Sequence, residues 1–467
     1  MSDESSTPQA AEPTVSAETI ELDAERLKAL ENLADPLAKE RVTELVERLS
    51  IETGLSLDDD RQRLFRHLIV ELAKNIEDES LDPAIKQFLN GGGQAIDQIV
   101  RENFAQIKRA QAYFDDHGVA IITALFHASL PEAYLGKRGV QVLDATGELF
   151  RNWVRRVQET GQFLVNVLSS TPDLWLEGRT SLSRGEFGAR ATRRIRLTHA
   201  AVRWMLDGPP QPGHPSLLLE RIENPTEWKA RLIAAGLETS IGQPPLGQQD
   251  LLATLGTFTT VVLRALERLA VQFTDEDREA FHVLWNVVGW HLGIGDRATL
   301  VAASLEPQPN AWPESALLPI SADEMDLTYD HLAKLLQEPS DAGRRMTKAL
   351  MQELAYPLPQ PLQRAPAFVA RYLIGNNHAD MLDIEQGGFF ELAVAQSGAL
   401  RKFTELARAG WVGRLSLGLV SRTVTRYALR TFITQSRWSE RGLTIEPRIA
   451  GKWGIQIPPE PRTPARL

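Results

Sequence analysis

Residues 190–206 read RATRRIRLTHAAVRWML, and this stretch decides how the rest of the chain is read. On a helix, Thr192, Arg196, His199 and Arg203 follow one another at spacings of four, three and four, so they form a single stripe. Their neighbours Ile195, Leu197, Ala200, Ala201, Val202 and Met205 are apolar or small, which predicts a largely buried helix. A guanidinium in such surroundings needs an anionic or hydrogen-bonding partner. One imidazole with an arginine a turn to either side suits an iron porphyrin. The imidazole would take the metal and a guanidinium would fork onto a carboxylate of the ring. Ala200 and Ala201 leave room for a flat ring near the backbone. A single histidine on a semi-apolar helix is more often a hydrogen-bonded core residue, and spacing alone leaves both readings open.

Outward from this helix the chain keeps a helical period. Residues 147–168, GELFRNWVRRVQETGQFLVNVL, place Trp153, Arg156, Thr160 and Phe163 on one face, with Leu149 a turn earlier. Arg156 and Thr160 are the polar members of an aromatic stripe, which suits the roof of a small-ligand pocket. An arginine tied to a carbonyl or carboxylate is the competing reading. The run 117–136 is nearly continuous apolar and predicts a buried helix. Residues 20–49 form an amphipathic pair jointed at Asp35-Pro36, and a further helix runs from Leu57 to about Ile76. Helical patterns continue at about 225–236, 249–272, 275–293, 321–337, 340–355, 366–374, 385–409 and 411–436. Neither alternating strands nor a βαβ rhythm is visible. The expected class is all-α, a large helical bundle with one large core. Its expected divisions are a disordered acidic tail 1–18, an N-terminal helical extension 19–105, a helical core 106–400 and a basic C-terminal helix with a Pro-rich tail, 401–467.

Composition closes off several chemistries. The 467 residues include no cysteine, which excludes disulfides, thiolate nucleophiles, iron–sulfur clusters and haem-thiolate sites. Gly91-Gly92-Gly93 is followed by no GK[ST] and is not a phosphate loop. No HExxH occurs, and the Glu279–His282 spacing has no second partner of the kind a di-iron bundle needs. His127, His282 and His291 read as structural residues. The net charge of −10 is uneven: residues 1–60 hold 16 acidic and 5 basic residues, residues 401–467 hold 4 acidic and 13 basic. The basic stretch 411–437 offers a surface for an anionic membrane, the plainer reading being a solvated helix face. Nothing points to nucleic acid. The N-terminus lacks the basic start and apolar run of a signal peptide, and no apolar stretch is long enough to span a membrane. The expected compartment is the cytoplasm, with membrane association through 411–437 as the variant of that reading.

These residues together resemble a known family. LTHAAVR, with Arg196 three residues before His199 and Arg203 four after it, is similar to the haem helix of latex clearing protein and its MpaB-type relatives. So are ASLPEAYLGKRGVQVLDATGELF at 128–150, GQPPLGQQDLLATLGTFTTVVLRALERL at 242–269 and LWNVVGWHLGI at 284–294, with a weaker match in ARYLIGNNHADMLDI at 370–384. The resemblance spans about 110–400. It implies an extended globin-like helical core binding haem b, with His199 as the iron's protein ligand and Arg196 and Arg203 bracketing it. Arg156 and Thr160 would belong to the pocket. It further implies dioxygen-dependent cleavage or oxidation of an alkene in an isoprenoid or lipid-like substrate. A haem- or lipid-binding protein without turnover, peripheral to the membrane, is the alternative. One departure stands out. The residue before the motif threonine can be a lysine in latex clearing relatives; here it is Glu159, so the distal position is open, water-bound or set by another group, with Glu159 or Glu148 as a polar or basic group near the pocket. Such relatives are exported to reach a solid polymer, so the missing leader implies a smaller intracellular substrate.

Overall fold

The computed structural model describes residues 21–57, 59–91, 94–149, 153–170, 172–176, 188–206, 246–305, 319–356, 360 and 363–386; for 32, 62, 94, 144–149, 153–159, 206 and 305 the description covers the backbone. The expected tail 1–18, the helices over 225–236 and 411–436, residues 387–409 of the helix over 385–409, and the basic stretch 401–467 with its surface at 411–437 lie outside the described residues. The fold is all-α. Among the described residues every regular element is helical, apart from one isolated antiparallel bridge between Gly136 and Gln337. No described helix is long and apolar enough to cross a membrane.

The N-terminal layer comprises α1 (Ala24–Ala29), α2 (Pro36–Thr53), α3 (Arg61–Leu72) and α4 (Pro83–Asn90). Asp-Pro pairs start two of these helices. Asp35 and Asp82 each accept a bond from the backbone N–H three residues on, while Pro36 and Pro83 fill the first helical position, where a missing N–H costs nothing. Next come α5 (Gln94–Glu102), α6 (Phe104–Ala124), α7 (Leu130–Tyr134), α8 (Lys137–Leu149), α9 (Trp153–Leu168) and α10 (Gly188–Leu206). The second half holds α11 (Gln248–Gly256), α12 (Val262–Arg268), α13 (Asp275–His291), α14 (Arg297–Leu305), α15 (Ala322–Leu336), α16 (Asp341–Ala355), α17 (Ala365–Ile374) and α18 (Asn376–Met381). The buried run at 117–136 is not one regular helix. Between α6 and α7 the backbone widens into a π-helix over Leu125–Ser129, and a second π-helix, Thr257–Val261, joins α11 to α12. The two π segments touch each other.

The buried apolar side chains form two clusters, which corrects the expectation of one large core. The larger gathers α6, α11, α12, α13 and the helices around them. The smaller is built by α2, α3 and α4 together with Leu197, Ala200 and Ala201 of α10. The physical reason is a polar seam. Arginines of α10 reach backbone carbonyls and a carboxylate of the N-terminal layer, so α10 separates the two greasy volumes as it joins them. Helices α4, α14 and α18 escaped the sequence reading; all three are short, and the strongest local signals of the first two were Asp82-Pro83 and Asp296, whose carboxylate accepts the Thr299 N–H at 3.0 Å.

Candidate functional site

Helix α10 packs against α2, α3 and α4 on one side and against α9 and α13 on the other. At 100° per residue, His199 lies across the helix from the stripe formed by Leu197, Ala200 and Ala201. That stripe is buried in the smaller cluster, so His199 is turned away from it. The residue is partly buried, and its Nδ1 is sealed inside. Thr192 on the same stripe is fully buried, its hydroxyl donating to the Gly188 carbonyl at 2.9 Å.

Four of the five arginines of α10 reach named partners. Arg196 donates to both carboxylate oxygens of Asp35, at 2.5 and 2.8 Å, in a fork between partners 161 residues apart. Asp35 is buried and also caps α2. The resemblance places Arg196 beside the cofactor; here its guanidinium is held by a carboxylate of the N-terminal layer. Arg203, only 2% exposed, donates to the carbonyl of Leu246. Leu246 has a φ of 62°, a conformation that costs a non-glycine residue energy and that the Arg203 bond helps to hold. Arg193 donates from Nε to His291 Nδ1 at 3.3 Å and from a terminal nitrogen to the Leu89 carbonyl at 3.1 Å. Arg194 donates to the Leu72 carbonyl, and Arg61 of α3 to the carbonyl of Trp204.

Behind Arg196 the segments 246–250 and 291–295 close a polar plate. Gln248 is fully buried; its amide donates to the Gly293 carbonyl at 2.8 Å and its oxygen accepts from Gly295 N–H at 2.9 Å. Gly293, at φ 85°, lies directly against Asp35 and Arg196, where a side chain would collide with both. Gln249 reaches back to the Leu27 carbonyl at 2.9 Å. Burial raises the Asp250 carboxyl above its usual range, opposed by Arg138 and Arg203 nearby and by its bond from Gly247 N–H. Asp35, Gln248 and Gly293 were not among the expected site residues. The available signal was a run of polar residues, GQQD, inside an otherwise apolar helical pattern.

His291 is fully buried at the end of α13 and stacks on Trp175, with ring centres 5.7 Å apart. Since its Nδ1 accepts from Arg193, the proton sits on Nε2. Burial first, then Arg193 and Arg196, hold its pKa well below the usual histidine value. It is a neutral spacer between α10 and α13. His282 is also buried, and burial lowers it to about 4.

The other expected site residues lie on α9, which packs along α10. Thr160 is partly buried there. The side chains of Arg156 and Glu159, and of Glu148 on α8, lie outside the described residues. The structure thus brings the helix of Arg156, Glu159 and Thr160 against the helix of Arg196, His199 and Arg203. Among the described residues no group of three or more His, Asp and Glu side chains could hold a metal. A lone imidazole on a semi-apolar wall is the donor set that fits iron whose other in-plane ligands come with it, as in haem.

With this geometry in place, comparison with known proteins gives two matches. A family model described as "ER-bound oxygenase mpaB/B'/Rubber oxygenase, catalytic domain" matches residues 113–409. A solved structure of latex clearing protein in its closed state aligns with a TM-score of 0.53 and 16% identity, over 93% of this chain and 95% of that one. At that identity the likeness shows the fold. No curated protein is similar enough in sequence to count as a relative.

Proposed function

The chain belongs to the family of MpaB-type and rubber oxygenase catalytic domains, an oxygenase family, and on that premise we propose that it is a haem b-dependent oxygenase acting with dioxygen on an alkene of an apolar isoprenoid or lipid-like substrate. The observation that carries this reading is the place of His199. It lies within the family match, on the side of α10 that faces away from the N-terminal layer and with its Nδ1 sealed inside the protein.

In this reading His199 holds the iron, and bound haem supplies the dioxygen activation that no side chain here can perform. The chain's own residues do the rest. Arg193, Arg194 and Arg196 fasten α10 to carbonyls of the N-terminal layer and to Asp35, which fixes where His199 points. Arg203 holds the Leu246 turn, and with it the start of α11. Arg156 and Thr160 are assigned to the pocket roof on α9. Glu159 is an acidic group beside them, able to accept a proton from a reacting carbon chain or a bound water. The larger apolar cluster, to which both α9 and α13 contribute, would keep water away from the reacting atoms.

Purification with haem supply, followed by absorption spectra of wild type and His199→Ala, tests this. Wild type should show a Soret band that His199→Ala loses or shifts; a colourless wild type or an unchanged band in the variant would count against the assignment. Arg203→Ala should lower haem retention, and equal retention removes that role. Consumption of dioxygen with a polyisoprenoid chain separates an oxygenase from a haem carrier.

A further inference from the structure

His127 is placed unlike any other histidine of the described chain. It sits on the π-helix Leu125–Ser129, against the second π-helix Thr257–Val261. Single π turns are rare and recur at functional sites. His127 is deep enough that burial lowers its pKa to about 4, yet it keeps accessible surface between the buried Phe126 and Ala128. A group both deep and accessible lines an internal space.

Its tautomer follows from its one bond. Nδ1 lies 3.0 Å from the Thr123 carbonyl oxygen. A carbonyl accepts, so Nδ1 carries the proton and Nε2 carries a lone pair. Among the described residues Nε2 has no hydrogen-bond partner, and it is not sealed off. Upstream on α6, the accessible positions recur at helical spacing: Asp116 is exposed, and Ala120, Thr123 and His127 are partly buried. The positions between them, such as Ile121, Ile122, Ala124 and Phe126, are buried. A stripe of α6 thus stays open from the surface inward to His127. The Thr123 hydroxyl donates to the Val119 carbonyl at 2.9 Å. The stripe therefore offers acceptors in an apolar wall and no spare donor.

We propose that His127 Nε2 is the polar anchor of an interior binding site for an apolar molecule carrying a single hydroxyl, which donates its proton to the imidazole. An apolar body suits the packed apolar side chains around the inner end of the stripe, and a neutral O–H matches the lone pair there; an ammonium group carried inward past the exposed Asp116 to His127 would be desolvated away from that carboxylate. The site stands on α6 and does not depend on iron at His199, so the haem spectra above and the test below fail separately.

The test titrates geraniol and its methyl ether into wild type and His127→Leu, read by tryptophan fluorescence. The ether keeps the shape and removes the donor. Wild type should bind the alcohol roughly three- to tenfold more tightly than the ether, the worth of one hydrogen bond, and His127→Leu should bind both alike. Equal affinities in wild type, the same preference in both proteins, or no saturable binding would each overturn the assignment. Modification of wild type by diethyl pyrocarbonate, located by mass spectrometry, covers the case of a variant that fails to fold. His127 should react while the buried His282 and His291 do not, and geraniol should slow that reaction severalfold more than the ether. An unreactive His127, or equal protection by both compounds, overturns the proposal.

Discussion

Asp35 shows how much one side chain can carry. It caps α2 and forks with Arg196, whose own helix holds His199 one turn on. Asp35→Ala removes the cap, worth about 1 kcal/mol, and strands a mostly buried guanidinium, worth about 3–5 kcal/mol. Asp35→Asn keeps the cap and an oxygen for Arg196, so it should lose clearly less. Urea unfolding measures both: a midpoint for Asp35→Asn as low as that of Asp35→Ala would show that the retained cap and oxygen contribute nothing, and one equal to wild type that the charge contributes nothing. The Arg196–His199–Arg203 stripe was legible because helical spacing is local. Asp35 was legible only as a helix start; its partner is 161 residues away, and no local period encodes a pair at that distance.

Among the elements, α10 is the two-sided one. Its small residues Ala200 and Ala201 are buried against α2, α3 and α4. The sequence reading took those alanines as room for a flat ring; they instead let the N-terminal layer approach the helix closely. Ala200→Leu should overpack that contact and cost about 1–3 kcal/mol, seen as a lower Tm without loss of helical circular dichroism. An unchanged Tm would mean that the two layers are not tightly fitted there. The π-helices were invisible beforehand for a physical reason. Each lasts five residues, Leu125–Ser129 and Thr257–Val261. Over so short a span the apolar pattern of a π turn does not differ from that of an α turn. Only the packing of one against the other selects the wider form.

The pH dependence belongs to the whole molecule. His127 and His282 are held neutral down to about 4, and His291 is likewise held well below the usual histidine value, chiefly by burial. Unfolded, each would titrate near 6.5, so the unfolded chain takes up protons that the folded one refuses. Their contribution is complete above pH 6.5 and is lost as pH falls from 6.5 towards 4, on the order of a few kcal/mol each at most. His378 works the other way. Its Nδ1 lies 2.6 Å from buried Glu132, which raises its pKa against the opposing effects of burial and Arg268. That tie binds α18 to α7; it is full below pH 6.5 and is lost as pH rises through the raised value. Tm against pH should therefore fall on both sides. His282→Asn should flatten the acid limb and His378→Gln the alkaline limb. A variant whose limb keeps its slope would remove that histidine from the account.

The chain by itself determined its class and the helical stripe on which the proposed site is drawn. A helical period runs almost throughout, cysteine is absent, and one helix sets an imidazole between arginines; all of these are local facts that any fold must respect. The tertiary structure alone decided that α10 stands between two cores, that Arg196 belongs to Asp35, and that two helices widen where they meet. Those outcomes depend on which distant surfaces are pressed together, because a buried charge or a loosened turn is stable only beside the partner that compensates it.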